Sequence, residues 1–251
     1  MPSIFLSPSA QEFNQYYDNS GSEEYYMNLI ADAMEPYLDA NGISFTRNDP
    51  DETLSQAIAK SNSGNYDLHL ALHSNAGPES LSGALRGADF YYYTPSSRGR
   101  NAANVLAENY KKIYPIPSLV KAVPTSSLAE VRRTRSPAVL AELAYHDNPT
   151  DAEWIKNNIG RIAENLVQGL CILFGINFVN PGASVPSDNF GTVVTQGGRL
   201  NIRNRPTTSS TVIGQIPNGT RVEILGSVGE WFIIEYNGII GFVSDDYLIR
   251  Y

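Results

Sequence analysis

The hydrophobic pattern of this 251-residue chain changes period once. The change falls at a run of turn formers, Asn180-Pro181-Gly182-Ala183-Ser184-Val185-Pro186-Ser187-Asp188. Before it, the short apolar runs Ile4–Leu6, Ile43–Thr46, Leu68–His73, Asp89–Tyr93 and Ala138–Leu143 alternate with segments of helical spacing. Strands separated by helices pair through crossovers, so the expected fold is α/β, a mixed sheet flanked by helices. After it come only short strand-like runs: Leu200–Arg203, Thr211–Ile216, Arg221–Gly226, Trp231–Tyr236 and Ile239–Val243. They are punctuated by Pro217-Asn218-Gly219 and Asn237-Gly238, and Asn-Gly between apolar runs is a strong hairpin signal. A small all-β barrel follows, giving an expected division into residues 1–178, a linker 179–189 and a second domain 190–251.

Three helices stand out. The first begins after Ser22, stops at Asn41-Gly42 and carries Met27, Ile30, Met34 and Leu38 on one stripe, with Pro36 inside it as an expected kink. The second runs from about Arg98 to Ile113. The last opens at Thr150, where Thr150 with Glu153 reads as a capping box, and continues through Ile155, Ile159, Ile162, Leu166 and Leu170 to Gly175.

Charge narrows the function. A net charge of -8, with no basic cluster beyond Arg132, Arg133 and Arg135, argues against nucleic acid as a partner, because holding phosphates takes a basic face. The single cysteine, Cys171, excludes an intramolecular disulfide and sits among Leu170, Ile172 and Leu173 as a buried hydrophobe would. No segment approaches the roughly 18 apolar residues of a membrane span. The amino terminus lacks the pattern of a secretory leader, so an extracellular role implies release by another route or an already processed chain.

The stretch Leu200-Asn201-Ile202-Arg203-Asn204-Arg205-Pro206, with Val212-Ile213-Gly214, Gly219-Thr220-Arg221-Val222, Trp231 and Gly241-Phe242-Val243-Ser244 before Tyr247-Leu248, closely resembles the bacterial SH3 domain. That family implies a non-catalytic barrel tethering wall enzymes to peptidoglycan. Trp231, Phe232, Tyr236, Phe242 and Tyr247 are candidate ligand contacts, but so small a barrel also needs aromatics as core.

Further upstream, Gly21-Ser22-Glu23-Glu24 opens a helix, His73-Ser74-Asn75 ends a strand, and Pro137-Ala138-Val139-Leu140-Ala141-Glu142 forms a strand ending in a carboxylate. Strand ends and helix starts converge on clefts above a sheet. In this order, with Thr46-Arg47 and Arg86-Gly87, the landmarks over residues 3–176 resemble the zinc-dependent N-acetylmuramoyl-L-alanine amidases. The resemblance implies Glu24 and His73 as zinc ligands and Glu142 as the catalytic carboxylate, with peptidoglycan as substrate. The bond cut would be the amide between the lactyl group of N-acetylmuramic acid and L-alanine of the stem peptide. Metal and carboxylate suit this chemistry: zinc lowers the pKa of bound water and a neighbouring Glu moves its proton.

One position departs from that pattern. Ser7-Pro8-Ser9-Ala10 places a methyl group where the family has its first zinc-binding His. Glu12 is the preferred replacement, with Gln11 and His146 as alternatives and His69 disfavoured because four strand residues separate it from His73 by about 13 Å. Arg132 is a candidate for binding a substrate carboxylate or the oxyanion. Tyr91, Tyr92 and Tyr93 are candidates for a sugar cleft, with Tyr92 pointing opposite to its neighbours. Two other readings stay open: a degenerate amidase fold that binds wall fragments without cutting them, and a zinc peptidase.

Overall fold

The computed structural model describes residues 1–181 and 190–250; most of the expected linker, 182–189, lies outside the described residues, as does Tyr251. The amino-terminal unit holds six strands: β1 (Ser3–Pro8), β2 (Ser44–Arg47), β3 (Leu68–Asn75), β4 (Ala88–Tyr93), β5 (Val120–Thr125) and β6 (Ala138–Tyr145). They form one sheet in the order β2-β1-β3-β6-β4-β5. Only the β4–β6 pairing is antiparallel, so the sheet is mixed as expected.

Side-chain alternation divides the sheet into two faces. Ile4 and Leu6 of β1, Leu68, Leu70 and Leu72 of β3, and Val139, Ala141 and Leu143 of β6 enter the main core, beneath the helices α1 (Glu23–Ala40), α3 (Ser97–Tyr110) and α6 (Ile159–Phe174). The opposite face presents Ala71, Ala138 and Leu140 to Val131 of the short α4 (Ala129–Arg133), with α2 (Leu54–Ser63) beside it. Residues that leave the apolar pattern on that second face, Ser7, His69, His73 and Glu142, belong to the site.

The helix boundaries follow from their caps. Ser22 accepts a hydrogen bond from the Tyr25 backbone and starts α1, which runs unbroken through Pro36. Thr53 and Gln56 form a capping box for α2, a helix whose three buried residues leave little apolar stripe in the sequence. The last helix departs from expectation twice. Its cap is Asn148, which accepts from the Thr150 and Asp151 backbones with Pro149 in the first turn, so Thr150 lies inside the helix. It also divides at Asn157-Asn158 into α5 (Pro149–Lys156) and α6, the latter ending at left-handed Gly175 with φ 68°.

The carboxy-terminal unit consists of β7 (Phe190–Val193), β8 (Arg199–Arg203), β9 (Val212–Pro217), β10 (Arg221–Val228), β11 (Trp231–Tyr236), β12 (Ile239–Ser244) and β13 (Leu248–Arg250). These strands pair antiparallel in the order β13-β7-β10-β11-β12-β8-β9. Asn237 and Gly238, both with positive φ, close the expected hairpin between β11 and β12. The barrel has its own core around Val193, Ile202, Ile216, Ile234 and Val243. A second set, Ile233, Ile240 and Phe242 with Trp231, Leu225 and Val228 beside them, packs into the core of the first unit. Tyr25 of α1 donates its hydroxyl to the Ile240 carbonyl across this seam. At Gly160 of α6 the approach is so close that a Cβ would lie 1.9 Å from the Leu225 carbonyl oxygen. Among the described residues, no helix is long and apolar enough to cross a membrane.

Candidate active site

Parallel strands β3 and β6 put His73 and Glu142 side by side in register at the carboxyl ends of their strands. The N-terminus of α1 brings in Glu23, whose Oε1 lies 2.7 Å from His73 Nδ1. On the other side of the ring, Nε2 lies 3.4 Å from Oε2 of Glu130, supplied by α4. Glu130 is buried and is also met by Ser7 Oγ at 2.5 Å and His69 Nε2 at 3.0 Å, while His69 Nδ1 pairs with Ser61 Oγ at 2.9 Å. A continuous polar chain thus runs from α2 through two histidines to α1.

The charges settle accordingly. Burial pulls the His73 pKa down, but Glu130 and Glu23 outweigh it and hold the pKa well above the usual imidazole value. Burial would raise both of those carboxyls, yet His69 and His73 keep Glu130 well below the carboxylate range, and His73 with Asn14 lowers Glu23. Glu142 behaves oppositely. Burial raises its pKa to about 7, Glu23 and Asp89 add to the rise, and His73 offsets part of it. Its Oε2 is buried with no hydrogen-bond partner among the described residues. A carboxylate without a partner, poised near neutrality, can act as a proton acceptor. Glu142 and His73 line a cavity of about 480 Å³ together with Ser7, Ala10, Gln11 and Leu140, while the exposed side chains of Phe13 and Leu54 form part of its wall.

Not every expected residue arrives here. Glu24, one residue further along α1, is turned by roughly 100° and faces Arg205 of the barrel at 3.9 Å; Glu23 takes the position beside His73. Glu12 is exposed and, like Glu24, lines a neighbouring cleft of about 560 Å³ between the two units, which adjoins the first cavity at Ala10 and Asn48. His146 is buried on the opposite side of β3, with Nδ1 3.0 Å from Ser74 Oγ and its ring stacked on Tyr16. Arg132 lies exposed on α4. Tyr92 points into the main core while Tyr91 and Tyr93 share the α4 face. Of the barrel aromatics, Phe242 is core, Trp231 packs on the first unit and Tyr247 is exposed.

Sequence reasoning missed Glu130. The strand alternation that puts His69 and His73 on one face was legible; that a five-residue helix would deliver a shared carboxylate to both was not.

The chain is thus a two-part protein, a mixed α/β sheet carrying a carboxylate–histidine–carboxylate cluster above its strand ends joined to an antiparallel barrel. The family model described as N-acetylmuramoyl-L-alanine amidase matches residues 10–171, and the chain belongs to that family. The bacterial SH3 domain model matches residues 198–249. LytC, an N-acetylmuramoyl-L-alanine amidase of Bacillus subtilis, is 26% identical over 161 residues, covering 62% of this chain and 32% of LytC. YrvJ of the same organism is 25% identical over 120 residues, covering 48% of this chain and 21% of its own length. The chain therefore spans a third or less of the curated relatives it matches. Among solved structures, the catalytic domain of the amidase CwlV from Bacillus (Paenibacillus) polymyxa superposes with a TM-score of 0.61 at 18% identity, over 70% of this chain and 100% of that one. The catalytic domain of the CD27L endolysin targeting Clostridia difficile gives 0.57 at 20% identity, over 72% and 100%.

Proposed function

We infer that the chain is a peptidoglycan hydrolase that cleaves the amide between the lactyl group of N-acetylmuramic acid and L-alanine, and that the barrel tethers it to the wall. The observation that carries the reading is Glu142: a buried carboxyl with one unpartnered oxygen, in register beside His73, at the wall of an open cavity. The action is extracellular or at the cell wall.

The family implies zinc. Among the described residues no three His, Cys, Asp or Glu side chains converge on a metal position. Two donors nevertheless fit: His73 Nδ1 and Glu23 Oε1 meet at 2.7 Å, and the other ring nitrogen of His73 faces the Glu130 carboxylate. A histidine whose far nitrogen is held by a carboxylate has the arrangement of a metal ligand, because the carboxylate fixes the tautomer and raises the basicity of the near nitrogen. His73 and Glu23 would thus hold the ion, and when bound it supplies a water of lowered pKa and polarises the scissile carbonyl.

The chain's own groups do the remainder. Glu142 takes the proton of the attacking water and returns it to the departing L-alanine amine, for which a pKa near neutrality is suited. Glu130, anchored by Ser7 and His69, keeps the His73 ring oriented. The test is digestion of purified peptidoglycan followed by mass spectrometry. Peptides with a free L-alanine amino terminus, absent with Glu142→Gln, support the reading; wall that binds the protein but stays uncut supports the degenerate alternative, and cuts at another amide support a peptidase.

A further inference from the structure

The geometry points to Gln11, not Ala10 or Glu12, as the third protein donor of the site, which makes it an amide–carboxylate–imidazole set that binds zinc weakly and discriminates poorly against harder divalent ions. The inference rests on the reading above that the His73–Glu23 pair holds a metal.

Gln11 Nε2 lies 3.3 Å from His73 Nδ1 and 3.4 Å from Glu23 Oε1. Donors each about 2.0–2.2 Å from one tetrahedral ion lie roughly 3.3–3.6 Å from each other. Two edges of the triangle already have that length, and the third, the 2.7 Å hydrogen bond between Glu23 and His73, opens by less than an ångström. A half-turn of the amide exchanges its nitrogen for its oxygen at this vertex. The half-turn gives up the 3.1 Å bond that Asn14 Nδ2 donates to Gln11 Oε1, while Asn14 keeps its 2.7 Å donation to Glu23 Oε2 and holds that carboxylate in place.

The other candidates are accounted for. Ala10 has only a methyl group, Glu12 is exposed on the cleft between the units, His146 is held by Ser74 on the far side of β3, and His69 is engaged by Ser61 and Glu130. An amide oxygen is neutral and hard where imidazole is softer and more basic, so replacing one by the other favours carbonyl-tolerant ions such as manganese relative to zinc.

The experiment is calorimetric titration of zinc chloride and manganese chloride into the chelator-stripped full chain and into Gln11→Ala, Gln11→His, Ala10→His and Glu12→Ala, with circular dichroism as the folding control. We expect one ion per wild-type chain. Gln11→Ala should weaken binding and Gln11→His strengthen zinc binding, each by at least about tenfold, with the gain larger for zinc than for manganese. Ala10→His and Glu12→Ala should change little. Folded Gln11→Ala that binds like the wild type overturns the assignment, as does tightening by Ala10→His in place of Gln11→His. Wall cleavage by a chain for which neither wild type nor Gln11→His takes up metal sinks the assignment and leaves the amidase reading standing. Gln11→His that binds zinc in a chain whose wild type binds it weakly and leaves the wall intact does the reverse.

Discussion

Replacing Glu142 by glutamine should abolish hydrolysis and, in metal-free protein, stabilise the fold by an amount that grows with pH. Burial raises the Glu142 pKa from 4.5 to about 7. A carboxyl with a folded-state pKa above its unfolded one binds a proton more tightly in the native state. Its contribution is therefore intact below the unfolded value and is lost as pH rises through the folded value. Glutamine imitates the protonated form at every pH. A gap of two to three pKa units corresponds to about 3 kcal/mol once the group is ionised in both states, and about 1 kcal/mol at pH 5, where the folded side chain is still neutral. The difference between the Glu142→Gln variant and wild type should thus widen by about 2 kcal/mol between pH 5 and pH 8.5, a shift on the order of 4–8 °C in the midpoint. Thermal unfolding in chelator at both pH values measures it. A pH-independent difference, or a variant less stable than wild type at pH 8.5, would refute the placement of an ionisable, unsolvated carboxyl at this position.

Glu23→Ala and Glu24→Ala should separate sharply: the first removes the partner of His73 and lowers wall hydrolysis by about 100-fold or more, whereas the second leaves turnover nearly unchanged, read by release of soluble peptides. With Glu142 as the base, kcat/KM for the metal-loaded enzyme should fall on the acid side of neutrality, and a flat profile between pH 5 and pH 8 would argue against it. Gly160→Val drives a side chain into the Leu225 carbonyl and should part the two units, visible as a larger radius in small-angle scattering with the catalytic unit still folded. Asn148→Ala removes the cap of α5 and should cost about 1 kcal/mol in denaturant unfolding.

The sequence makes the architecture legible because periodicity survives burial. Leu68, Leu70 and Leu72 alternate with His69 and His73, and that alternation alone puts both histidines on one face. His73 and Glu142 could be named because the ordered landmarks around them resemble the amidase family; a lone His or Glu near a strand end is a weak signal. Glu24 could not be told from Glu23, since adjacent helix residues differ only by a rotation that depends on how α1 is set against the sheet. Glu130 carries no local signal; its role exists only where α4 folds back over β3. The break at Asn157-Asn158 was hidden because the apolar stripe continues across it, and Asn148 was overlooked as a cap because Thr150 with Glu153 offered a more familiar pattern.

The seam between the units has a mechanical consequence. Helix α1 turns Glu23 to His73 and Tyr25 to the barrel, two residues apart, and the barrel shares the apolar interior of its neighbour. On the proposed reading, an anchor fused in this way would fix the stride of the enzyme: with the barrel on one point of the wall, the cavity would reach only bonds at one offset and one orientation from it. Further cuts would then require letting go, so grip and turnover would oppose each other, and tightening the anchor would slow the enzyme on a dense wall.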